Sequence, residues 1–205
     1  MNGLMMTLQK KIKPPMIQKS FILIRILGKC HLLYLPMNQF TKVVFLLTVF
    51  SSVVNLIVEM GLGKTIEMLS LVHSVRAPPG TKKGSTLVIA PMSIISQWKS
   101  EADNSSMPQT LRTIIYYGAD KVLDLPSLCE SPSAPDVIIT SYGVVLSEWT
   151  SGKLAEGIFA TEWFRVILDE AHTIKNRLSK TARACYDIKA GRRWVLTGFF
   201  SPLLY

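Results

Sequence analysis

Short apolar runs alternate with amphipathic segments along most of the chain. The runs predict buried strands, which lie at residues 53–58, 86–90, 113–117, 136–140, 166–168 and 192–197. Apolar residues spaced three and four positions apart predict helices at residues 66–75 and 94–102, and the composition of residues 180–188 predicts a third. Because strands that alternate with helices form a parallel sheet with right-handed crossovers, this pattern predicts an α/β fold with helices on both faces of the sheet. Residues 124–135, which contain three prolines, are predicted to be a surface connection.

The first 52 residues do not follow this alternation. They contain no acidic residue, and apolar side chains dominate residues 21–35 and 43–58. We expect strands that lead into the sheet only from about residue 53. Residues 1–52 are therefore set apart as an atypical basic and apolar leader of doubtful order.

Several origins fit this leader. A membrane span is disfavoured, because the apolar residues 43–58 fall short of the roughly 20 needed to cross a bilayer and Glu59 follows at once. A mitochondrial transit peptide is also poor in acids, but it would contain more arginine and serine. We favour an alternative or out-of-frame translation that is joined just before the glycine-rich stretch, because the composition changes abruptly there.

The charge of the chain is unevenly distributed. The formal net charge is +9, but all 14 acidic residues follow position 58, whereas seven of the 23 basic residues precede it. Residues 59–205 are therefore nearly neutral, and the net charge alone gives little support for nucleic-acid binding. With 205 residues and 48% hydrophobic content, one domain with a sizeable core is expected.

The three cysteines do not form a recognisable framework. Cys30, Cys129 and Cys185 lie far apart, and none belongs to a C-x-x-C pair. This spacing predicts neither disulfides nor a zinc site, so we expect reduced thiols, no zinc and no RING finger within these residues.

A glycine-rich stretch between the first predicted strand and the first predicted helix carries candidate chemistry. It reads Glu59-Met60-Gly61-Leu62-Gly63-Lys64-Thr65. Such a turn places backbone N–H groups and the positive end of the helix dipole around a volume that fits a phosphate, although Val58 replaces the first glycine of the strict G-x-x-x-x-G-K-[ST] pattern. We assign the last six residues of the stretch to ATP binding. Lys64 is expected to reach the β- and γ-phosphates, and the Thr65 hydroxyl to bind Mg²⁺.

Two acidic residues, Asp169 and Glu170, follow the apolar run at residues 164–168. Because ligands gather beyond the carboxyl ends of parallel strands, both acids are expected near the glycine-rich stretch. Asp169 is expected to hold Mg²⁺ directly or through water, and Glu170 to polarise the attacking water. The predicted catalytic residues of this phosphoryl-transfer site are therefore Lys64, Asp169 and Glu170.

Five motifs follow one another in the order of a known family. Besides the glycine-rich stretch and Asp169-Glu170-Ala171-His172, they are Leu87-Val88-Ile89-Ala90-Pro91 with Gln97-Trp98, Ile139-Thr140-Ser141-Tyr142, and Trp194-Val195-Leu196-Thr197-Gly198. From about Glu59 to Gly198, the chain resembles the first RecA-like lobe of the SWI/SNF-type, superfamily-2 helicase-like ATPases, which is a P-loop NTPase lobe. Residues 141–149 and 180–186 resemble the post-replication-repair subgroup, whose members couple such a motor to a RING finger.

This resemblance implies an ATP-driven translocase on double-stranded DNA, with a role in DNA repair and a location in the nucleus. It implies that Pro91, Ser141 and Tyr142 line the nucleic-acid track, although Tyr142 fits packing in the core equally well. It also implies that His172 and Thr197 couple the nucleotide state to movement.

The resemblance further implies a second RecA-like lobe, which supplies arginines to the transferring phosphate and is absent from these 205 residues. We expect residues 53–198 to form the first lobe, residues 199–205 to be a divergent tail, and the chain alone to bind Mg-ATP weakly and hydrolyse it slowly. The adenine-reading glutamine motif of the family is not found upstream. Two alternatives stay open: a truncated product without independent activity, and a membrane-anchored P-loop protein.

Overall fold

The computed structural model describes most of the chain after residue 63 and three strands before it. The described residues are 19–26, 29–36, 53–57, 64–77, 84–105, 111–118, 121, 124–152, 155–174 and 176–197. In the first three of these ranges, the description is limited to the backbone.

Strands and helices alternate along the described residues. The strands are β1 Lys19–Ile26, β2 Lys29–Pro36, β3 Val53–Ile57, β4 Thr86–Ala90, β5 Thr113–Ile115, β6 Val137–Ser141, β7 Arg165–Leu168 and β8 Arg193–Thr197. The helices are α1 Lys64–Ser74, α2 Ile95–Ser105, α3 Leu125–Glu130, α4 Tyr142–Thr150, α5 Gly157–Ala160 and α6 Lys180–Asp187, with 3₁₀ turns at Met92–Ile94 and Ala171–Ile174.

The strands form one sheet in the order β2-β1-β3-β8-β7-β4-β6-β5. From β3 to β5, all neighbouring strands are parallel, and β4 lies between β6 and β7. The carboxyl ends of these strands therefore meet at one edge of the sheet, where α/β folds bind their ligands. The predicted α/β fold with a parallel sheet is confirmed.

The amino-terminal part of the sheet differs from the prediction. β1 and β2 pair in antiparallel fashion, and β1 also pairs antiparallel with β3. The expectation that strands begin only near residue 53 is therefore wrong. The physical reason is that aliphatic runs favour strands and that β3 would otherwise leave a row of unpaired backbone groups at the edge of the sheet.

Helices cover both faces of the parallel strands, as the alternation predicts. On one face, residues of α1 and α2 such as Met68 and Trp98 pack against Val88 of β4. On the other face, residues of α3 to α6 pack against Leu87 and Ile89 of the same strand. Successive residues of a strand point to opposite faces, so a strand buried on both sides must be apolar throughout, as β4 is.

The predicted surface connection at residues 124–135 is corrected by helix α3. The side chain of Asp124 accepts a hydrogen bond from the backbone N–H of Ser127 at 3.1 Å, which caps the helix. Leu125 and Cys129, four positions apart, are both buried. The two apolar positions and the cap stabilise a helix despite the prolines, one of which stands in the first turn, where its missing N–H costs nothing.

No helix among the described residues is long and apolar enough to cross a membrane. Within the apolar stretch at residues 43–58, the described part, Val53–Ile57, is the strand β3. Residues 43–52 lie outside the described residues.

Candidate functional site

The beginning of α1 and the end of β7 meet at the carboxyl edge of the sheet. Helix α1 begins at Lys64, and β7 ends one residue before Asp169. The ammonium nitrogen of Lys64 lies 3.3 Å from Oε1 of Glu170, and the two side chains are only 11% and 14% exposed. The structure therefore brings together the lysine and the acid that the sequence places 106 residues apart.

Asp169 is held from several directions. Its backbone N–H donates to the carbonyl of Ile89 on β4 at 2.8 Å, which continues the sheet by one residue. The indole N–H of Trp98 donates to Oδ2 at 2.7 Å, and the backbone N–H of Glu170 donates to Oδ1 at 2.8 Å. The carboxylate is thus fixed in orientation before any ligand binds.

Burial raises the pKa of the Asp169 carboxyl above its ordinary value. The hydrogen bonds from Trp98 and from the N–H of Glu170 oppose this increase, as does the positive charge of Lys64. The negative charge of Glu170 adds to it. One buried acid and one partly buried acid therefore depend on Lys64 for charge balance, and they concentrate negative charge that a bound cation would neutralise.

Glu170 lies between two basic groups in an unusual backbone conformation. Its φ angle is 47°, in the left-handed region that non-glycine residues rarely adopt. Oε2 lies 3.1 Å from Nδ1 of His172, which is half-exposed. The backbone N–H and the hydroxyl of Thr173 both donate to the carbonyl of Glu170 at 3.1 Å. The 3₁₀ turn thereby holds the strained residue in place.

The described residues fit a nucleotide and a divalent cation. Lys64 and Thr65 form the first turn of α1, where the positive end of the helix dipole favours phosphate. Each oxygen of Asp169 accepts one hydrogen bond, which leaves lone pairs available for a hard cation. The other residues predicted to bind ATP, Met60, Gly61, Leu62 and Gly63, lie outside the described residues.

The three residues expected on the nucleic-acid track surround one cavity. It has a volume of about 350 Å³ and lies beyond the carboxyl ends of β4 and β6. Its lining residues are Pro91, Met92, Tyr117, Ser141, Tyr142, Gly143, Val144, Ser147 and Thr173. The structure thus brings these predicted residues together a short distance from the acid pair.

Tyr142 and Ser141 contact protein groups as well as lining the cavity. The Ser141 hydroxyl accepts a hydrogen bond from the N–H of Val144 at 3.1 Å and caps α4. Tyr142 is buried, and its hydroxyl donates to the carbonyl of Asp169 at 2.8 Å. Burial, together with the nearby charges, raises the pKa of the Tyr142 phenol, so the hydroxyl stays protonated and can donate.

Trp98 is a site residue that the sequence does not identify by its role. The sequence places it in a family motif, but nothing in its spacing indicates a contact with Asp169. In the sequence, a tryptophan in a helix is typical of an ordinary apolar core position. The acceptor of its single N–H group is known only from the fold.

The remaining predicted positions are placed less completely. Thr197 is the last residue of β8, where its backbone pairs with Ile57, and its side chain is not described.

Cys129 and Cys185 are buried and form no disulfide. The described residues contain no group of three or more His, Cys, Asp or Glu that could hold a metal.

A parallel sheet, a lysine at a helix start and an acid pair at a strand end define a P-loop-type ATPase lobe of the helicase-like class. The chain belongs to the SNF2-related domain family, whose model matches residues 37–203. The match begins before Glu59, so the expectation that the family resemblance starts there is wrong. It also takes in part of the segment that the sequence analysis sets apart.

Curated relatives are named as DNA repair proteins. The chain is 49% identical over 177 residues to DNA repair protein rad5 of Neurospora crassa, covering 68% of this chain and 14% of that protein. It is 49% identical over 156 residues to DNA repair protein rad8 of Schizosaccharomyces pombe, with the same coverage. The chain therefore spans about one seventh of the length of these relatives.

Solved structures support the same class. The SWI2/SNF2 ATPase core of Sulfolobus solfataricus in complex with double-stranded DNA has a TM-score of 0.61 and 26% identity, over 79% of this chain and 31% of that one. The ATPase core domain from the same organism has a TM-score of 0.57 and 23% identity, over 80% and 31%, and shows the likeness of fold alone.

Proposed function

We propose that this chain is the ATP-binding first lobe of a DNA-dependent ATPase that translocates on double-stranded DNA and acts in DNA repair in the nucleus. The contact between Lys64 and Glu170 carries the proposal, because it joins the predicted phosphate-binding helix to the predicted acid pair. Support for DNA repair comes from the names of the relatives, and support for a DNA partner comes from the solved complex of a similar ATPase core.

Each residue of the site has a role that follows from its contacts. Lys64 and Thr65 would hold the triphosphate and Mg²⁺ at the start of α1, and Asp169 would hold the metal. Bound Mg²⁺ neutralises charge on the phosphates and thereby favours phosphoryl transfer. Glu170 is positioned by Lys64 and His172, and its free lone pairs can orient a water molecule.

The geometry also supports a role for His172 in transmitting the nucleotide state. Its ring contacts Glu170 on one side and is 46% exposed on the other. A change in the position of Glu170 on nucleotide binding would therefore move an exposed imidazole, which can contact another part of a larger protein. Thr197, at the end of β8, is proposed for the same purpose on the basis of the family motif.

Binding of a fluorescent ATP analogue tests the proposal. We expect the 205-residue chain to bind it in the presence of Mg²⁺, and Lys64→Ala to weaken binding about tenfold or more, because a charge that contacts phosphate is lost. Lys99→Ala, on helix α2, removes a lysine whose partner is the exposed Asp103 and should bind as the unmodified chain does. Equal affinity in the unmodified chain and Lys64→Ala would contradict the proposal. Hydrolysis by this chain is expected to be slow with or without DNA.

A further inference from the structure

Side chains in the wall of the cavity are hydrogen-bonded to the backbone of Asp169 and Glu170. Two cavity-lining side chains, those of Tyr142 and Thr173, carry hydroxyl groups that point to Asp169 and Glu170. Tyr142 donates to the carbonyl of Asp169 at 2.8 Å, and Thr173 donates to the carbonyl of Glu170 at 3.1 Å. The main chain of each acid is thus hydrogen-bonded to one residue of the cavity wall.

These bonds help to hold the backbone from which the two carboxylates extend. The carbonyl and the side chain of a residue share one Cα, so a displacement of the main chain that carries the Cα with it also displaces the side chain. The effect is strongest at Glu170, because its φ of 47° persists only while neighbouring groups hold it. Tyr142 is buried and its contact is short, so little movement of the ring is possible without loss of the bond.

We infer that Tyr142 and Thr173 are positioning residues through which an occupant of the cavity changes the affinity of the acid pair for Mg-ATP. The inference rests on the proposed function, and it takes duplex DNA as the occupant of this cavity, which Pro91 and Ser141 line. By linkage, the nucleotide then changes the affinity for DNA by the same factor.

The cavity supplies a matched control. Tyr117 also lines it, but its hydroxyl contacts the sulfur of Met92 and not the acid pair. Tyr117→Phe therefore removes a hydroxyl from the same wall as Tyr142→Phe does, without changing the contacts of Asp169 or Glu170.

The experiment measures the Kd for Mg-ATP with and without a saturating duplex. For the unmodified chain, we expect the two values to differ about fivefold, the lower end of typical coupling between sites. In the double variant Tyr142→Phe with Thr173→Val, the ratio should fall towards one, although the backbone N–H of Thr173 still donates to the Glu170 carbonyl. In Tyr117→Phe the ratio should stay as in the unmodified chain. Trp98→Phe is expected to weaken Mg-ATP binding equally with and without DNA, because Trp98 holds Asp169 without lining the cavity.

The possible results distinguish failure of the coupling inference from failure of the proposed function. Mg-ATP binding that DNA does not change, or a double variant with the full ratio, would overturn the inference while leaving nucleotide binding in place. A chain that binds no Mg-ATP would overturn the proposed function, and the inference with it. Thermal unfolding shows whether the double variant folds. If it does not, Tyr142→Phe alone is compared with Tyr117→Phe, because it removes the side-chain bond to the Asp169 carbonyl. The full ratio in Tyr142→Phe would then overturn the inference.

Discussion

At the scale of single residues, Glu170 is where the contacts of the site converge. One carboxylate oxygen lies near Lys64 and the other near His172, while the carbonyl accepts from Thr173. These contacts hold a backbone conformation that costs on the order of 1–3 kcal/mol. The strain is therefore part of how the acid pair is built, and in the proposed function it places the Glu170 carboxylate to orient a water molecule.

Glu67, on the first turn of α1, gives the residue-scale prediction. Burial raises its pKa from 4.5 to about 7, and Oε2 has no hydrogen-bond partner within the described part of the chain. Because the folded pKa is the higher one, the contribution of Glu67 to stability is fully present below pH 4.5 and is lost as the pH rises towards 7. Glu67→Gln removes this loss, so at pH 8 the variant should be more stable by about 1 kcal/mol, a value reduced for partial solvent screening.

Denaturant unfolding at pH 5 and pH 8 checks this prediction. The difference between Glu67→Gln and the unmodified chain should grow with pH, whereas the exposed Glu130→Gln should show no such trend. A stabilising effect that is equal at both pH values would show that ionisation of Glu67 is not its cause.

The sequence could predict the charged residues of the site but not their supports. Lys64 and Asp169 belong to patterns whose residue types and spacing follow from phosphate and metal chemistry. The supports are an indole at Trp98 and a phenol at Tyr142, each of which uses one polar atom on an otherwise apolar side chain. Nothing in apolar periodicity separates these positions from ordinary core positions, so only the fold reveals their contacts.

At the scale of elements, arginines at the amino ends of two strands, one buried and one partly buried, bind the carboxyl ends of two helices. Arg165 of β7 donates from Nη2 to the carbonyl of Val75, just after α1, at 3.1 Å. Arg193 of β8 donates to the carbonyls of Cys185 and Tyr186 at 3.2 Å each, and to that of Ile188. These carbonyls have no partner within the helix, so a cation there satisfies them and complements the dipole.

Arg193→Met tests this role of the arginine. The substitution keeps the apolar volume but removes the donors to the end of α6, so we expect a loss of about 2 kcal/mol in the free energy of unfolding. Arg183→Met, at an exposed position of the same helix, should change it by less than about 0.5 kcal/mol. Equal stabilities of the two variants in denaturant titrations would contradict the assigned role.

Strands and helices could be predicted from the sequence where the pattern of apolar residues favoured a single kind of element. β4 is apolar throughout and was predicted with its observed bounds, Thr86–Ala90. β1 and β2 were not predicted, because an aliphatic segment without acids is typical both of a leader peptide and of strands that pair at the edge of a sheet. α3 was missed because prolines usually indicate a loop, whereas here the cap at Asp124 outweighed them.

At the scale of the whole molecule, the sheet is a rigid support for two neighbouring sites. Within its parallel part, β4 has β7 on one side and β6 on the other. β7 leads to the acid pair, and β4 and β6 lead to the turns at Pro91 and Ser141. The acid pair and the cavity therefore lie side by side, and the hydroxyl of Tyr142 in the cavity wall reaches the carbonyl of Asp169.

Thermal unfolding with Mg-ATP tests the central claim, that Lys64 and Asp169 bind one triphosphate with its metal. At a nucleotide concentration about 100 times Kd, Mg-ATP should raise the Tm of the unmodified chain by about 5 °C, and ATP with a chelator should raise it less. Asp169→Asn should lose the metal-dependent part of this rise, while Asp103→Asn, at an exposed position on α2, should keep it. The same metal-dependent rise in Asp169→Asn, or no rise in the unmodified chain, would contradict the account.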